Sequence, residues 1–227
     1  MKICHFDFSS PFELICGVGV LVVENPHKFT EYCKDFIDQQ NGEDGSFIID
    51  YNGDTLSFKK IGQIIFNYFE LSLKDKRIVS GVYDELDKIA NDDYSQEYAI
   101  LKSEILKFID LIAIDSSLQI EYNDIFGLQD ILKALKVQPF EDEKTLLESL
   151  IDYLDAMANT LGKKLFVLVG LRSYLDDDEF ELLLKHIAHA SYSVLFLERT
   201  QYQRINNEPI RIIDNDFCEI VVEDENI

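Results

Sequence analysis

The sequence has few basic residues. It contains 21 lysine and arginine residues against 43 aspartate and glutamate residues, so the 227-residue chain carries a formal net charge of −22. Such a charge favours solubility and repels polyanions such as DNA or anionic lipid, unless the scarce cations are gathered in one place. The hydrophobic content of 47% is still enough to build the core of one large or two small globular domains.

Paired cysteines and long apolar runs are also missing. The cysteines Cys4, Cys16, Cys33 and Cys218 lie far apart with no Cys-x-x-Cys spacing, so neither a zinc site nor a disulfide framework is indicated and reduced thiols in the cytoplasm are expected. The apolar run 14–23 is about half the length of a membrane-spanning helix and has no basic leader. We therefore expect a core strand there, a cytoplasmic protein and no membrane partner.

No phosphate-binding loop follows the first apolar strand. Such a loop needs a glycine-rich turn with a lysine that opens a helix, because backbone N–H groups must surround the anion. Gly17 and Gly19 instead precede or begin the strand, and the turn after it contains Glu24 and Pro26. Proline removes a donor and glutamate opposes a phosphate, so nucleotide hydrolysis is disfavoured.

Catalytic and metal motifs are equally incomplete. Asp50–Asp54 begins like a calcium-binding EF loop, but Ile61 occupies the position of the essential bidentate glutamate, so a hairpin turn is favoured. His186 and His189 have no evident third ligand and are interpreted as surface histidines that flank a core stripe. No serine–histidine–aspartate arrangement is legible, and the sequence therefore predicts no enzyme.

Apolar patterning predicts an α/β fold with a mostly parallel sheet. Residues 17–23 and 165–169 are apolar throughout, as expected of strands covered on both faces. Asn25 is followed by proline and predicts a helix start, and Asp176 with Glu179 predicts another. The segments 47–51 and 55–58 form a predicted hairpin, and further strands are expected at 194–197, 210–213 and 217–222.

Between these segments the apolar period changes to about 3.6 residues, which indicates helices packed on helices. We assign residues 1–60 and 160–227 to one α/β head domain whose segments build one sheet, and residues 61–159 to an inserted all-helical leg domain. The helical stripes in this block are Ile61/Ile64/Ile65/Tyr68, Leu101/Ile105/Phe108/Ile112, Ile125/Leu128/Leu132/Leu135 and Leu147/Leu150/Ile151/Leu154.

Oxygen ligands gather near the middle of the chain. Glu121, Asn123 and Asp124 lie at a predicted loop-to-helix junction, and Asp130 follows about two turns along the helix. Calcium takes six to eight oxygen ligands and tolerates irregular geometry, so these residues are candidate metal ligands. The alternative is that Asn123 or Asp124 caps the helix and the other side chains are solvated.

Positive charge gathers nearby. Lys133 and Lys136 follow the acidic cluster, and Lys163 with Lys164 precedes the strand at 165–169. Each of these lysines is, taken alone, an ordinary surface residue.

The order of elements and several strings resemble the Csn-two family of type II-A CRISPR adaptation proteins over essentially the whole chain. The strings are "ALKV" after the acidic cluster, "LGKKLFVLVGLRSYLDDDEFELLLKHIA", "SYSVLFLE", "IIDNDF" and the opening "FDFSSPFEL". None of them is a catalytic motif, so the resemblance rests on their order and spacing.

The resemblance implies a head related to phosphate-loop ATPases that neither binds nor hydrolyses nucleotide. It further implies a helical leg, a ring-shaped homotetramer stabilised by structural calcium ions, and non-enzymatic, sequence-independent binding of double-stranded DNA that enters the ring from its ends. The implied role is spacer acquisition in antiviral defence, together with the CRISPR integrase and effector nuclease.

Residue by residue, the resemblance places Glu121 and Asp130 at acidic calcium-ligand positions. Asn123 and Gln119 fall where many relatives carry acids, with Asp124 next to Asn123. An amide in place of a carboxylate weakens calcium affinity. Lys133, Lys163 and Lys164 match basic positions, whereas Lys136 replaces a glycine; these four are the implied DNA contacts. Two other hypotheses stay open: a degenerate nucleotide hydrolase, and an acidic scaffold that binds only proteins.

Overall fold

The structure is a computed structural model that describes residues 1–222. It divides into two compact units. The sheet unit contains residues 1–72 and the chain from residue 142 onward, and the helical unit contains Leu73–Glu141. These boundaries differ from the predicted 61 and 159, because residues 62–65 form a strand of the main sheet and the helix at 146–161 belongs to the sheet unit.

The described residues contain ten strands in two sheets. A four-stranded antiparallel sheet has the order β2-β1-β4-β5, and a six-stranded sheet has the order β10-β9-β3-β8-β7-β6. The strands are β1 Lys2–Cys4, β2 Phe12–Glu13, β3 Val18–Val23, β4 Ile48–Tyr51, β5 Asp54–Leu56, β6 Gly62–Ile65, β7 Leu165–Val169, β8 Ser193–Glu198, β9 Ile210–Ile213 and β10 Glu219–Val222.

Seven α-helices accompany the sheets within the described residues. They are α1 Pro26–Asn41, α2 Phe58–Ile61, α3 Lys76–Asp92, α4 Ser95–Ile114, α5 Leu128–Ala134, α6 Leu146–Leu161 and α7 Asp177–Ile187. The predicted N-caps are confirmed: the Asn25 side chain accepts from two backbone N–H groups of α1, and Asp176 forms a capping box with Glu179 at the start of α7.

The six-stranded sheet confirms the predicted α/β class. Its neighbours from β9 through β3, β8 and β7 to β6 are parallel, and β10 is antiparallel to β9. Every residue of β3 and β8 is buried, which explains the apolar character of β3 and of residues 194–197 in β8. On one face of the sheet, Leu21, Val167 and Leu195 pack in a core cluster with Phe36 of α1.

Two sequence-based expectations were wrong. The hairpin β4–β5 pairs with β1 in the separate antiparallel sheet, so the flanking segments build two sheets and not one. The stripe that begins at Ile61 was predicted to be helical, but Ile64 and Ile65 lie in the fully buried strand β6. A short apolar run fits a buried strand as well as a helix, and periodicity alone does not separate them.

The helical unit consists of α3, α4 and α5. Ile78 of α3 and Leu132 of α5 are buried, whereas α4 has no fully buried residue in its 20 positions. Ile125, predicted to begin the helix that became α5, precedes it and is 82% exposed. Within the described residues, no helix combines the length and the apolar character that crossing a membrane requires.

Burial changes the acidity of Glu198 at the end of β8. Its side chain is 2% exposed, and one carboxylate oxygen accepts the backbone N–H of Arg172 at 3.0 Å. Desolvation raises the pKa of Glu198 from 4.5 to about 7, against the opposing effect of the Arg172 hydrogen bond and charge. The folded protein therefore keeps this proton to a higher pH than the unfolded chain does.

This difference predicts a pH dependence of stability. The folded-state pKa lies above the unfolded value, so the contribution of Glu198 is largest below pH 4.5 and is lost as the pH rises through 7. The loss in the free energy of unfolding amounts to about 3 kcal/mol, because each unit of pKa difference corresponds to ~1.4 kcal/mol. Chemical denaturation at pH 5.5 and pH 8 should show a smaller pH-dependent loss in Glu198→Gln than in the wild type. An equal loss in both would contradict the assignment.

Candidate nucleic-acid interface

Two lysines flank the start of α3. Between them in sequence lies Asp75, which caps the helix by accepting the backbone N–H of Arg77 at 2.8 Å. The Arg77 guanidinium also bonds this carboxylate, at 2.9 Å, and that hydrogen bond lowers the pKa of Asp75. Arg77 thus engages Asp75, and within residues 1–222 Lys76 forms no ion pair with this neighbouring carboxylate.

Two further lysines lie at the end of α5. Lys133 is in the last turn of the helix, and Lys136 follows it with a left-handed backbone at φ 53°. The chain reverses through the hydrogen bond from the Val137 N–H to the Leu132 carbonyl at 3.0 Å. Glycine is the usual residue at such a position, because a side chain is strained there. The backbone conformation at this position favours glycine, so the ammonium group of Lys136 is present there despite the local backbone preference.

These four lysines line one pocket within the helical unit. The cavity has a volume of about 510 Å³. Its other lining residues are Val79, Ser80, Tyr83, Gln129, Val137 and Gln138. The Tyr83 hydroxyl donates to the Val137 carbonyl at 2.9 Å, and the Gln129 amide donates to Asp84 at 2.8 Å, so α3, α5 and the segment after α5 are bonded together around it.

The pocket is electropositive because most of its cations are unpaired. Lys74 lies 3.7 Å from the Glu141 carboxylate. Within residues 1–222, Lys76, Lys133 and Lys136 form no ion pair. Buried or half-buried cations of the sheet unit, in contrast, lie 2.7–2.8 Å from carboxylates, as Arg172 does from Asp177 and Arg211 from Glu219. In a chain with twice as many acids as bases, unpaired lysines that converge in a cavity give it a positive local potential, which makes this pocket a candidate anion site.

The structure thus brings together two of the four lysines predicted to contact DNA, and it places two further lysines beside them in the same pocket. Lys133 and Lys136 are neighbours in the pocket, as their spacing in sequence suggested. Lys74 and Lys76 were missed, because their local sequence Lys-Asp-Lys-Arg reads as a mixed-charge surface turn. Their convergence with α5 depends on the packing of α3 on α5, which local sequence does not specify.

The other two predicted lysines lie in the sheet unit. The Lys163 ammonium donates to the carbonyls of Lys59 at 3.1 Å and Gly62 at 2.7 Å, so it ties the chain between α2 and β6. The Lys164 ammonium lies 5.0 Å from the centre of the Tyr51 ring and lines a separate pocket of about 260 Å³. Lys163 has a structural role in this arrangement, and a DNA contact by either residue stays a prediction.

The predicted calcium ligands do not form a site within the described part of one chain. Asn123 bonds the backbone of Ile125 through both its oxygen and its nitrogen, and Asp130 accepts the N–H of Gly127 at 2.9 Å as the capping group of α5. Glu121 and Asp124 are exposed in the irregular segment before α5. Residues 1–222 contain no cluster of three or more His, Cys, Asp or Glu side chains placed to hold a metal. Calcium needs six to eight oxygens, so these residues alone do not fit the ion.

The junction between β3 and α1 has no phosphate cradle. The Asn25 side chain accepts the N–H groups of His27 at 3.0 Å and Lys28 at 3.3 Å, which are the donors that a phosphate would need. Gly17 serves a left-handed turn at φ 78°, and a side chain at Gly19 would come within 2.4 Å of Leu14. Gly17 is therefore explained by the turn and Gly19 by close packing, and neither requires a bound phosphate.

Comparison with solved structures identifies similar chains. A putative ABC transporter ATP-binding protein from Pyrococcus furiosus has 14% sequence identity and a TM-score of 0.37, over 91% of this chain and 95% of that chain. The recombination mediator protein RecF with ATP, of the RecFOR pathway, has 11% identity and a TM-score of 0.40, over 97% of this chain and 98% of that chain. A protein-family model described as CRISPR-associated protein (Cas_Csn2) matches residues 39–217.

Because the backbone at Lys136 is strained, a substitution there should change protein stability and DNA binding in opposite directions. Lys136→Gly should relieve the left-handed conformation and raise the free energy of unfolding by about 0.5–1 kcal/mol. It should weaken DNA binding, because one ammonium is lost. Lys133→Ala is the matched control, since it removes the same charge from a helical position and should leave stability within about 0.5 kcal/mol. A Lys136→Gly variant that is no more stable than the wild type would contradict the strain.

The calcium prediction can be tested by thermal unfolding. Calcium at about 100 times its dissociation constant would add about 2.7 kcal/mol of stability and raise Tm by several degrees. Glu121→Gln combined with Asp130→Asn should remove the shift, whereas Glu85→Gln combined with Asp92→Asn, in α3, should keep it. No shift in the wild type, or the same shift in both double variants, would show that these residues bind no calcium.

Proposed function

The chain belongs to the Csn-two family of CRISPR-associated proteins (Cas_Csn2) and so has a role in CRISPR adaptation; from that membership we propose that it binds the ends of double-stranded DNA without reading their sequence. The binding is non-enzymatic and serves spacer acquisition, beside the CRISPR integrase and effector nuclease. The observation that supports it most directly is the pocket of Lys74, Lys76, Lys133 and Lys136, in which three ammonium groups lack a carboxylate partner within residues 1–222.

The chemistry of these side chains favours a sequence-neutral contact. A lysine ammonium is a compact point charge on a flexible stem, and it binds phosphate without the fixed fork that lets arginine recognise a guanine edge. Contacts to phosphate position a protein on a duplex and carry no sequence information. They release counterions, so affinity falls steeply as salt concentration rises.

The net charge of −22 makes assembly part of the proposal. A single chain repels DNA over most of its surface, and one pocket offsets only a small part of that repulsion. A homotetrameric ring would place four copies of the lysine pocket around one axis and direct the acidic surface outward. The duplex would then enter such a ring from a free end and be held inside it.

Nucleotide turnover has no part in the proposed function. Asn25 already occupies the donors at the start of α1, and the buried carboxylate of Glu198 closes the end of the strand next to β3. The Asn25 cap disfavours a bound phosphate there, because it removes the N–H donors that the phosphate would need. ATP hydrolysis by the purified chain would contradict this part and favour the degenerate-hydrolase hypothesis. Calcium stays a prediction, and the DNA contact proposed here does not depend on it.

End-dependent loading distinguishes threading from side-on binding. The protein should be retained on a linear duplex at low salt and should not load onto the same DNA as a covalently closed circle, because a closed ring has no route onto a molecule without ends. Cutting the circle once should restore loading.

Two results of this comparison between linear and circular DNA would contradict the proposal, each in a different part. Equal retention on the circle and on the linear form would exclude threading while leaving the sequence-neutral DNA contact intact. No retention of either form at low salt, with or without calcium, would contradict DNA binding altogether and favour an acidic scaffold that binds only proteins.

A further inference from the structure

The pocket of the helical unit differs in shape from a surface that tracks a duplex. Proteins that follow a nucleic-acid backbone distribute their cations along a groove, because phosphates succeed one another along each strand. Here, four lysines from the start of α3 and the end of α5 line one cavity of about 510 Å³. That volume lies in the range of small-molecule sites and is far too small to admit a duplex. A group that projects from the nucleic acid, such as the end of a strand, fits a recess of this size.

The charge of the pocket selects among such groups. A phosphate inside a strand is a diester with one negative charge and two free oxygens. A terminal phosphate is a monoester that carries a charge of about −1.5 to −2 at pH 7 and presents three strong acceptor oxygens. Three unpaired ammonium groups and a fourth beside Glu141 exceed what one diester can neutralise. The monoester neutralises more of this charge than a diester does, and its three acceptor oxygens equal the unpaired ammonium groups in number.

Neutral groups in the wall support the same ligand. Ser80 and Gln138 line the cavity and bring a hydroxyl and an amide that can bond phosphate oxygens. Val79 and Val137 provide an apolar side against which a terminal sugar can pack. The bonds between Tyr83 and Val137 and between Gln129 and Asp84 hold this wall in place.

We propose that this pocket binds the terminal phosphate of a DNA strand, so that the protein prefers phosphorylated ends to hydroxyl ends. The inference rests on the proposed function and adds to it the group that is recognised. A phosphorylated end provides one anchoring contact that neither the interior of a duplex nor a closed circle can provide.

Linear duplexes of one sequence that differ only in end chemistry test the proposal. Equilibrium binding at fixed, moderate salt should be about tenfold tighter for 5′-phosphorylated than for 5′-hydroxyl ends, as expected for one additional charge-assisted contact. A duplex that carries 3′-phosphates determines which strand end is preferred, and tighter binding of either phosphorylated form supports the proposal. A 5′-phosphorylated mononucleotide and inorganic phosphate should each compete at high concentration. Competition by these free phosphates with no preference among the duplex ends would overturn the proposal, because the pocket would then be a general phosphate site.

Charge-matched variants locate the effect. Lys133→Gln combined with Lys136→Gln should remove the preference for phosphorylated ends. Lys88→Gln combined with Lys107→Gln, which removes two charges from exposed positions of α3 and α4 outside the pocket, should keep it. Circular dichroism and thermal unfolding verify that each variant is folded. Equal affinity of the wild type for phosphate and hydroxyl ends would overturn this inference while DNA binding itself survives, whereas no affinity for any duplex would refute the proposed function instead.

Discussion

The electrostatic constraint on the proposed function is that a chain with 43 acids and 21 bases has to hold a polyanion. Most of its surface repels DNA, so the few cations act only where they converge and stay unpaired. The helical unit meets this condition because Arg77 binds Asp75 and leaves Lys76 without an ion pair, and because α3 packs beside α5, which brings in Lys133 and Lys136. The left-handed backbone of Lys136 indicates that local strain accompanies this placement.

In the sheet unit, the groups that could bind an anion are already engaged within the protein. The strand, turn and helix that would hold phosphate in a nucleotide-binding protein are all present, but the protein's own groups occupy the positions that an anion would need. Asn25 takes the first N–H donors of α1, and Glu198 places a buried carboxylate at the end of β8. The proposed phosphate contact therefore lies in the helical unit. In the sheet unit, Arg172 and Arg211 are engaged with carboxylates and Lys163 with backbone carbonyls.

Features that depend on residues close together in the sequence could be predicted, and features that depend on long-range packing could not. Strands β3, β7 and β8 and the caps at Asn25 and Asp176 follow from unbroken apolar runs and short capping motifs. Strand β6 was misassigned because its four residues fit either periodicity, and the separate sheet of the β4–β5 hairpin depends on pairing with the distant strand β1. Lys74 and Lys76 escaped notice for the same reason: their neighbours in space are some sixty residues away in sequence. The candidate calcium ligands, which were proposed from residue types and from the resemblance, converge in no cluster within residues 1–222.

The salt dependence of DNA affinity tests most directly whether the lysine pocket is where the polyanion is held. The logarithm of the binding constant for a linear duplex should fall linearly with the logarithm of salt concentration, with a slope proportional to the number of phosphates contacted. Glutamine at positions 74, 76, 133 and 136 together should make this slope markedly shallower and weaken binding at low salt. If the fourfold variant is folded and keeps both the wild-type slope and the wild-type affinity, the phosphate contacts lie elsewhere and the central claim is wrong.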